Sequence, residues 1–460
     1  MVFRIFNQYI PIRKLFLFGA ESAFIYTIVL TASIVMQGDL LQEGNPYIGS
    51  LLITAAVQIC LYICDLYDFK IFRSNLELLI RLLQSLGSAL ILVALLYFIF
   101  PRLIIGRGIF LFSIGFIGLG VICWRFLYNE FLKMKYSDQR IIIVGSGSLA
   151  KSIARQILDQ VDSGFRIIGF TAREPEKVGL RLVNPSIIGT HDQIAAIAER
   201  ERIHRIIVAN EDRRGCLSLN QLLECKTKGI IIEDGIEFYE RLAGKLEIDH
   251  LHPSFMIFSD GFRVSRFIRL LKRSMDLILS LTGLVTAAPL MMVIVCLIKI
   301  ESPGPILYRQ ERVGENGTPF NLLKFRSMRD NAETDGPVWA EKEDNRVTRI
   351  GKWLRKARLD EIPQMINVLT GSMSFVGPRP ERPHFVEKLR LAIPYYDQRS
   401  SVLPGITGWA QIRYPYGASI AESAEKLRYD LYYIKNMSLA FDLFIIFDTI
   451  KTILLGKGAR

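Results

Sequence analysis

Lys272-Arg-Ser-Met-Asp276-Leu-Ile-Leu-Ser-Leu-Thr-Gly-Leu-Val-Thr-Ala-Ala288-Pro289-Leu-Met-Met-Val-Ile-Val-Cys-Leu-Ile298-Lys299 is the stretch on which the fold of the last third of this chain turns. Leu277 to Ile298 is uncharged and reaches the ~20 residues that a bilayer-spanning helix needs. Two local features oppose a simple crossing. Pro289 sits in mid-segment, where it removes a helix hydrogen bond and kinks the helix. Cations flank both ends, with Lys272 and Arg273 before and Lys299, Arg309 and Arg312 after. A helix that enters the bilayer, breaks at Ala288-Pro289 and returns to the same face satisfies both, so a Pro-broken re-entrant helix is expected over residues 272–300.

Outward from this stretch, 460 residues are too many for one ordinary domain, and half of them are hydrophobic. The mean hydropathy of +0.27 is high for a soluble protein. Four apolar runs fill the first quarter: Leu15 to Met36, Ile48 to Leu66, Leu79 to Phe100 and Leu103 to Cys123. The first is too long for a signal-peptide core and no cleavage site follows it, so it reads as a retained anchor. Arg4, Arg13 and Lys14 precede the first run, Lys70 and Arg73 separate the second from the third, and Arg125, Lys133, Lys135 and Arg140 follow the fourth. The loop after the first run carries Asp39 and Glu43 instead. By the positive-inside rule both ends of a four-helix transmembrane bundle, residues 1–136, face the cytoplasm. Arg102 and Arg107 weaken that balance without reversing it.

The six cysteines form no CxxC pair and lack partner histidines at metal spacing, which reads as reduced packing residues. Five scattered histidines suggest neither a zinc site nor a histidine-based triad. The net charge of +12 flanks apolar segments rather than forming an aromatic-interleaved stripe. That arrangement points to anionic lipid and a phosphorylated substrate, and away from nucleic acid.

Arg140-Ile-Ile-Ile-Val-Gly145-Ser-Gly147-Ser-Leu-Ala150 is a buried-strand run that opens into a glycine turn and a helix, Leu149 to Asp159. Strand-like runs at Phe165 to Phe170, Arg205 to Ala209 and Gly229 to Glu233 alternate with helical segments near Asp192 to Arg202 and Leu217 to Lys226. The alternation predicts a Rossmann-like α/β domain with a parallel sheet, residues 137–262. Gly145 and Gly147 could hold a nucleotide pyrophosphate, but Phe170-Thr171-Ala172 stands where a ribose-binding acid belongs. A structural or regulatory role is therefore the first reading of this domain, and nucleotide binding the second.

In residues 263–460 the alternations Ile306 to Tyr308 and Phe320 to Phe325 suit a hairpin whose second strand presents Lys324 and Arg326 on one face. Arg355-Lys-Ala-Arg358-Leu-Asp360-Glu361-Ile-Pro363-Gln364 sets adjacent carboxylates among arginines just before a helix-starting proline. A lone Asp-Glu pair is most often a solvated surface. Here the loops Gly371 to Pro380 and Pro404 to Gln411, with Arg379 in the first, add backbone N–H groups and close ligand approach. Cations and open amides hold phosphate, and an aspartate can attack phosphorus. Leu439 to Ile453 is apolar on most of its circumference and suits either the membrane interface or the domain core.

The order KRxxD, apolar hairpin, SPGPxxYxQxRxG, KFRSM, RxxxLDExPQxxNVLxGxMSxVGPRP, PGITGWAQ and KxxYDLYYIKN, from about residue 268 to 460, resembles the polyprenyl-phosphate sugar-1-phosphate transferases, the monotopic phosphoglycosyl transferases of bacterial exopolysaccharide and O-antigen assembly. The bundle and α/β domain ahead of it match the family's long form, and residues 263–460 would be an α+β catalytic domain. The resemblance implies that Asp360 attacks the β-phosphorus of a UDP-sugar, expels UMP, and passes the sugar phosphate to undecaprenyl phosphate. By the same analogy Glu361 positions Mg²⁺ with Asp360 or activates the lipid phosphate, and Arg355 binds phosphate. Lys324, Arg326 and Arg379 are further phosphate candidates, and Arg358 a structural one. It also implies the bacterial inner membrane, with the catalytic domain on the cytoplasmic face. A homodimer and other polysaccharide-assembly proteins are the expected partners. Ala288 stands where the family often has serine, so a serine back-bond at the kink is missing.

Two rivals are weighed against this reading. A membrane-bound nucleotide-sugar dehydratase would need a Tyr-x-x-x-Lys pair, which the chain lacks. A non-catalytic scaffold or regulator would have no use for an intact Asp-Glu pair with its basic neighbours. The sugar itself would be chosen by loops such as Thr334 to Asp344 or Ile412 to Ala421.

Overall fold

The computed structural model describes residues 2–5, 8–36, 45–67, 75–99, 107–133, 139–160, 163–209, 218–251, 253–259, 261–262, 265–329, 346–414 and 419–455. Cys216 and the loop Thr334 to Asp344 lie outside them, as do residues 415–418 of the second loop. The chain divides into two compact units, Met1–Phe3 with Tyr9–Gly235, and Arg4–Gln8 with Ile236–Arg460.

Two short strands, β1 (Val2–Ile5) and β2 (Gln8–Pro11), open the chain. Helices α1 (Ile12–Met36), α2 (Pro46–Ile63), α3 (Asn75–Ile99) and α4 (Arg107–Lys133) follow, as the four apolar runs require. The first three are long and apolar enough to cross a membrane, and Gly115–Tyr128 is a shorter apolar stretch of the fourth. Their shared core joins Leu17, Ile25, Ile53, Leu61, Leu82, Val93, Ile117 and Val121. One cation counted among the flanking charges belongs inside instead. Arg125 is fully buried and grips Glu21 in a fork, Nε to Oε1 at 2.6 Å and Nη2 to Oε2 at 2.8 Å. Tyr67 donates to the same carboxylate at 2.7 Å, and the third Arg125 nitrogen, Nη1, donates to the Leu66 carbonyl. A charge this deep persists only when so paired and hydrogen-bonded.

The α/β part is a five-stranded parallel sheet of β3 (Gln139–Val144), β4 (Phe165–Ala172), β5 (Ile187–Thr190), β6 (Arg205–Val208) and β7 (Ile231–Asp234), in the order β5-β4-β3-β6-β7. Helices α5 (Ser148–Asp159), α6 (Ile194–Arg200) and α7 (Leu219–Thr227) connect its strands. The expected parallel sheet is present, with β5 as an added edge strand. Gly145 adopts φ +124°, a conformation that favours glycine, and donates its N–H to the Thr171 carbonyl at 3.0 Å. Gly147 is the residue that caps α5.

The second unit begins in α8 (Gly235–Ala243) and α9 (Pro253–Phe258) and continues into α10 (Arg266–Glu301), one 36-residue helix with Pro289 inside it. Thr286 Oγ1 donates to the Thr282 carbonyl at 2.9 Å, a back-bond one turn before the proline that bends helices as a serine at 288 would. The predicted hairpin forms from β8 (Leu307–Val313) and β9 (Pro319–Phe325), antiparallel with Tyr308 opposite Lys324. Then come α11 (Arg349–Lys356), α12 (Gln364–Thr370), β10 (Ser374–Val376), α13 (Pro383–Ala392), β11 (Gly405–Thr407), α14 (Trp409–Arg413), α15 (Ile420–Lys435) and α16 (Leu439–Leu454). The two glycine-proline loops flank a parallel pair, β10 with β11. Helix α16 turns its polar stripe inward. Asp442 is buried against Lys272 Nζ at 2.7 Å and the Tyr433 hydroxyl at 2.7 Å, while Leu443, Ile450 and Leu454 are exposed.

Candidate active site

The chain leaves α11 through Arg358, whose left-handed φ of +56° turns it into the 3-10 turn Leu359–Glu361. Non-glycine residues adopt this conformation rarely, at helix C-termini among other places. Pro363 and Gln364 continue the right-handed path into α12, so Asp360 and Glu361 sit on a rigid turn between two helices. Asn367 ties that turn to the hairpin: its Oδ1 accepts the Leu323 N–H at 2.9 Å and its Nδ2 donates to the Asn321 carbonyl at 2.8 Å. Arg273 of α10 caps α12 through the Val368 and Leu369 carbonyls at 2.6 and 2.8 Å.

Lys324 thus arrives beside the carboxylates. Its Nζ lies 2.9 Å from Glu361 Oε1, and Arg379 Nη2 lies 2.7 Å from the same oxygen. Arg379 reaches the site from a loop in which backbones touch. The Gly377 N–H donates to the Thr407 carbonyl and the Gly405 N–H to the Pro378 carbonyl, both at 2.9 Å, and a Cβ on Gly377 would lie 2.4 Å from the Leu403 carbonyl oxygen. No side chain fits there. Arg355 extends from the last turn of α11, with Nε donating to Ser327 Oγ at 2.9 Å.

The two carboxylates are unlike. Burial alone would raise both. Arg379 and Lys324, each hydrogen-bonded to Glu361, nevertheless hold its carboxyl well below the usual range. Asp360 is buried, yet among the described residues none hydrogen-bonds or ion-pairs with its carboxylate. Its pKa is raised, by burial first and then by the neighbouring Glu361 charge, against the pull of Lys324, Arg355 and Arg379. The pair is one ion-paired carboxylate and one buried carboxylate of raised pKa.

Of the sequence-predicted residues, Lys324, Arg355, Arg379, Asp360 and Glu361 come together. The Arg326 guanidinium donates to the Pro303 and Ser302 carbonyls at 2.8 Å each and pins the turn after α10. Pro289 lies within α10, and Gly145 and Gly147 belong to the first unit. Sequence reading missed Gln364, a buried side chain whose Nε2 has no hydrogen-bond partner among the described residues, and Arg399, whose Nη2 donates to the Arg379 carbonyl at 2.9 Å. Position next to the motif could have flagged Gln364; Arg399 carries no local signal.

Helices long and apolar enough to cross a membrane, a parallel-sheet domain and two unlike carboxylates among cations suit a membrane-associated group-transfer protein. Residues 267–456 match the bacterial sugar transferase family, and residues 62–211 match a CoA-binding domain. The chain is 43% identical over 239 residues to the UDP-N-acetylgalactosamine-undecaprenyl-phosphate N-acetylgalactosaminephosphotransferase of Aeromonas hydrophila, covering 52% of this chain and 56% of that one. It is 32% identical over 329 residues to the UDP-glucose:undecaprenyl-phosphate glucose-1-phosphate transferase of Escherichia coli, covering 70% and 69%. It is 52% identical over 137 residues to a putative undecaprenyl-phosphate N-acetylgalactosaminyl 1-phosphate transferase of Bacillus subtilis, covering 30% and 76%. The chain belongs to the bacterial sugar transferase family, the polyprenyl-phosphate sugar-1-phosphate transferases that its motifs resemble.

Proposed function

We propose that this protein transfers a sugar 1-phosphate from a UDP-sugar to undecaprenyl phosphate in the bacterial inner membrane, with the catalytic unit on the cytoplasmic face. The observation that carries the chemistry is the division between the two carboxylates. An Asp360 oxygen attacks the β-phosphorus, the bond from that phosphorus to the bridging oxygen breaks, and UMP leaves with the electron pair. An oxygen of undecaprenyl phosphate then attacks the same phosphorus and breaks its bond to Asp360, which regenerates the carboxylate. Lys324, Arg355 and Arg379 offset the charge of the approaching phosphates.

Among the described residues no group of three or more His, Cys, Asp and Glu gathers, so a cage made of protein ligands alone is not formed. Mg²⁺ is commonly held by one or two carboxylates plus substrate phosphates, and Asp360 with Glu361 fits that sparse donor set. A bound Mg²⁺ would neutralise phosphate charge as two anions meet one carboxylate.

The membrane part rests on α10. Its start is tied through Lys272 to the Val376 carbonyl at 2.9 Å, and its end through Glu301 to the Arg349 and Ile350 amides at 2.7 and 3.1 Å. Both anchors belong to one compact unit, while Leu281, Val285, Met292 and Val293 between them are more than half exposed. An apolar middle with both ends on one unit supports re-entry over crossing.

Relatives named for N-acetylgalactosamine share 43% and 52% identity, and relatives named for glucose share 31% to 42%. UDP-N-acetylgalactosamine and UDP-glucose are therefore the two donors to test first. UMP release from a UDP-sugar panel, with detergent-extracted protein, Mg²⁺ and undecaprenyl phosphate, should single out one sugar and vanish in Asp360→Asn. No release from any sugar by folded protein would overturn the assignment.

A further inference from the structure

Arg379 sits between two prolines, so its loop lacks two of the N–H groups that would otherwise tie it down. Backbone bonds tie the loop on either side, at the Pro378 and Glu381 carbonyls, and two guanidinium groups hold the carbonyls between them. Arg312 Nη1 donates to the Pro380 carbonyl at 2.9 Å, and Arg399 Nη2 donates to the Arg379 carbonyl at 2.9 Å. Arg399 is itself fixed: its Nη1 lies 2.6 Å from the Tyr396 hydroxyl, and the nitrogen on the Arg379 carbonyl also meets Asp430 Oδ2 at 3.1 Å. The Arg399 side chain is 10% exposed and Asp430 3%, whereas Arg379 is 40% exposed and extends to Glu361. A buried chain Asp430-Arg399-Arg379 backbone thus ends on the cation that faces the site.

We propose that Arg399 is a positioning residue for sugar-phosphate transfer, setting the reach of the Arg379 guanidinium by holding its main-chain carbonyl, with Asp430 fixing Arg399 in turn. The inference rests on the proposed transferase reading for its activity readout. Its role runs through the Arg379 main chain, whose carbonyl its Nη2 holds. Lysine would keep the charge but lose the planar fork that meets the carbonyl, the carboxylate and the hydroxyl together.

The test is a double-mutant cycle between Arg399→Gln and Arg379→Gln, read as KM and kcat for UMP release and, separately, as equilibrium binding of UDP. Each single variant should weaken UDP binding and raise KM by roughly tenfold, and Arg399→Gln added to Arg379→Gln should change either by less than about twofold. Arg399→Lys should fall between wild type and Arg399→Gln. It also keeps the test open if the glutamine variant does not fold, as judged by its melting temperature. Additive losses, or an Arg399→Lys protein indistinguishable from wild type, would overturn the proposal. If the wild type releases no UMP from any UDP-sugar but the UDP-binding cycle is still non-additive, the positioning role stands and the transferase reading fails.

Discussion

Arg379 Nη2 lies 2.7 Å from Glu361 Oε1, the oxygen that also takes Lys324 Nζ, so the second carboxylate of the pair is ion-paired twice and the first, among the described residues, has no hydrogen-bonded or ion-paired partner. This asymmetry assigns different outcomes to two substitutions that look alike. Asp360→Asn removes the attacking oxygen and should cut turnover by about 10³-fold or more, with no covalent sugar-phosphate adduct detectable by intact mass. Glu361→Gln keeps Asp360 and should still form the adduct, more slowly. An adduct in Asp360→Asn would remove that residue as nucleophile.

The pH dependence follows from the same two groups. Asp360 must be ionised to attack, and its pKa is raised by burial and by Glu361. Activity should therefore fall as pH drops through that raised pKa, while Glu361, held low by Arg379 and Lys324, stays charged throughout the window. Lys324→Met removes a charge that lowers the Asp360 pKa, so the acid limb should move to higher pH. Glu361→Gln removes a charge that raises it, so the limb should move to lower pH. The stability signs are opposite: Glu361, with a depressed pKa, stabilises the fold above its unfolded value and loses that contribution in acid, and Asp360 does the reverse. A pH-rate profile of the three proteins decides, and an unmoved limb in both variants would separate it from Asp360.

Much of this site was legible because its chemistry is local in sequence. Asp360, Glu361, Arg355 and Pro363 fall on one turn, and Lys324 follows from strand periodicity. For Arg326 alternation tells which face the side chain shares, but not that the turn at Ser302-Pro303 offers two carbonyls to its guanidinium. Arg399 was illegible for another reason: its contact is to backbone 20 residues away, and carbonyls leave no trace in sequence. In the fold, β5 was missed because Ile187 to Thr190 is a short run ending in glycine and threonine, and the inverted polarity of α16 needed its partners Lys272 and Tyr433 to be seen. Arg125 counted as a flank because hydropathy cannot show that Glu21 waits 104 residues earlier.

That buried pair gives a stability prediction. Glu21→Ala leaves the Arg125 charge uncompensated inside the helical bundle and should cost about 3–5 kcal/mol. Replacing both, as Glu21→Leu with Arg125→Met, should recover most of the loss because no charge is then stranded. Melting curves of the detergent-extracted proteins compare them. A double variant no more stable than Glu21→Ala would mean that the Tyr67 and Leu66 contacts, rather than charge pairing, hold this part of the bundle.

The path of α10 can be decided by which side its ends face. Leu270 and Ile300 are 63% and 82% exposed and stand near opposite ends of a helix that would be ~54 Å long if straight, well beyond the ~30 Å of bilayer hydrocarbon. Single cysteines at Leu270→Cys and Ile300→Cys, in a background with the native cysteines replaced by serine, should both react with a membrane-impermeant maleimide in inside-out vesicles and both be protected in right-side-out ones. A crossing helix would split the two. Pro289 is what makes return possible, because it leaves the Val285 carbonyl without its helical donor and lets the two halves diverge. Pro289→Leu restores that hydrogen bond and favours a straight apolar span, so part of the Ile300→Cys population should become reactive in right-side-out vesicles, with UMP release falling in proportion. If the leucine variant keeps both cysteines on the inner side and full activity, the ends are held together by Lys272 with Asp442 and by Glu301 with the α11 amides, and the proline only shapes the bend.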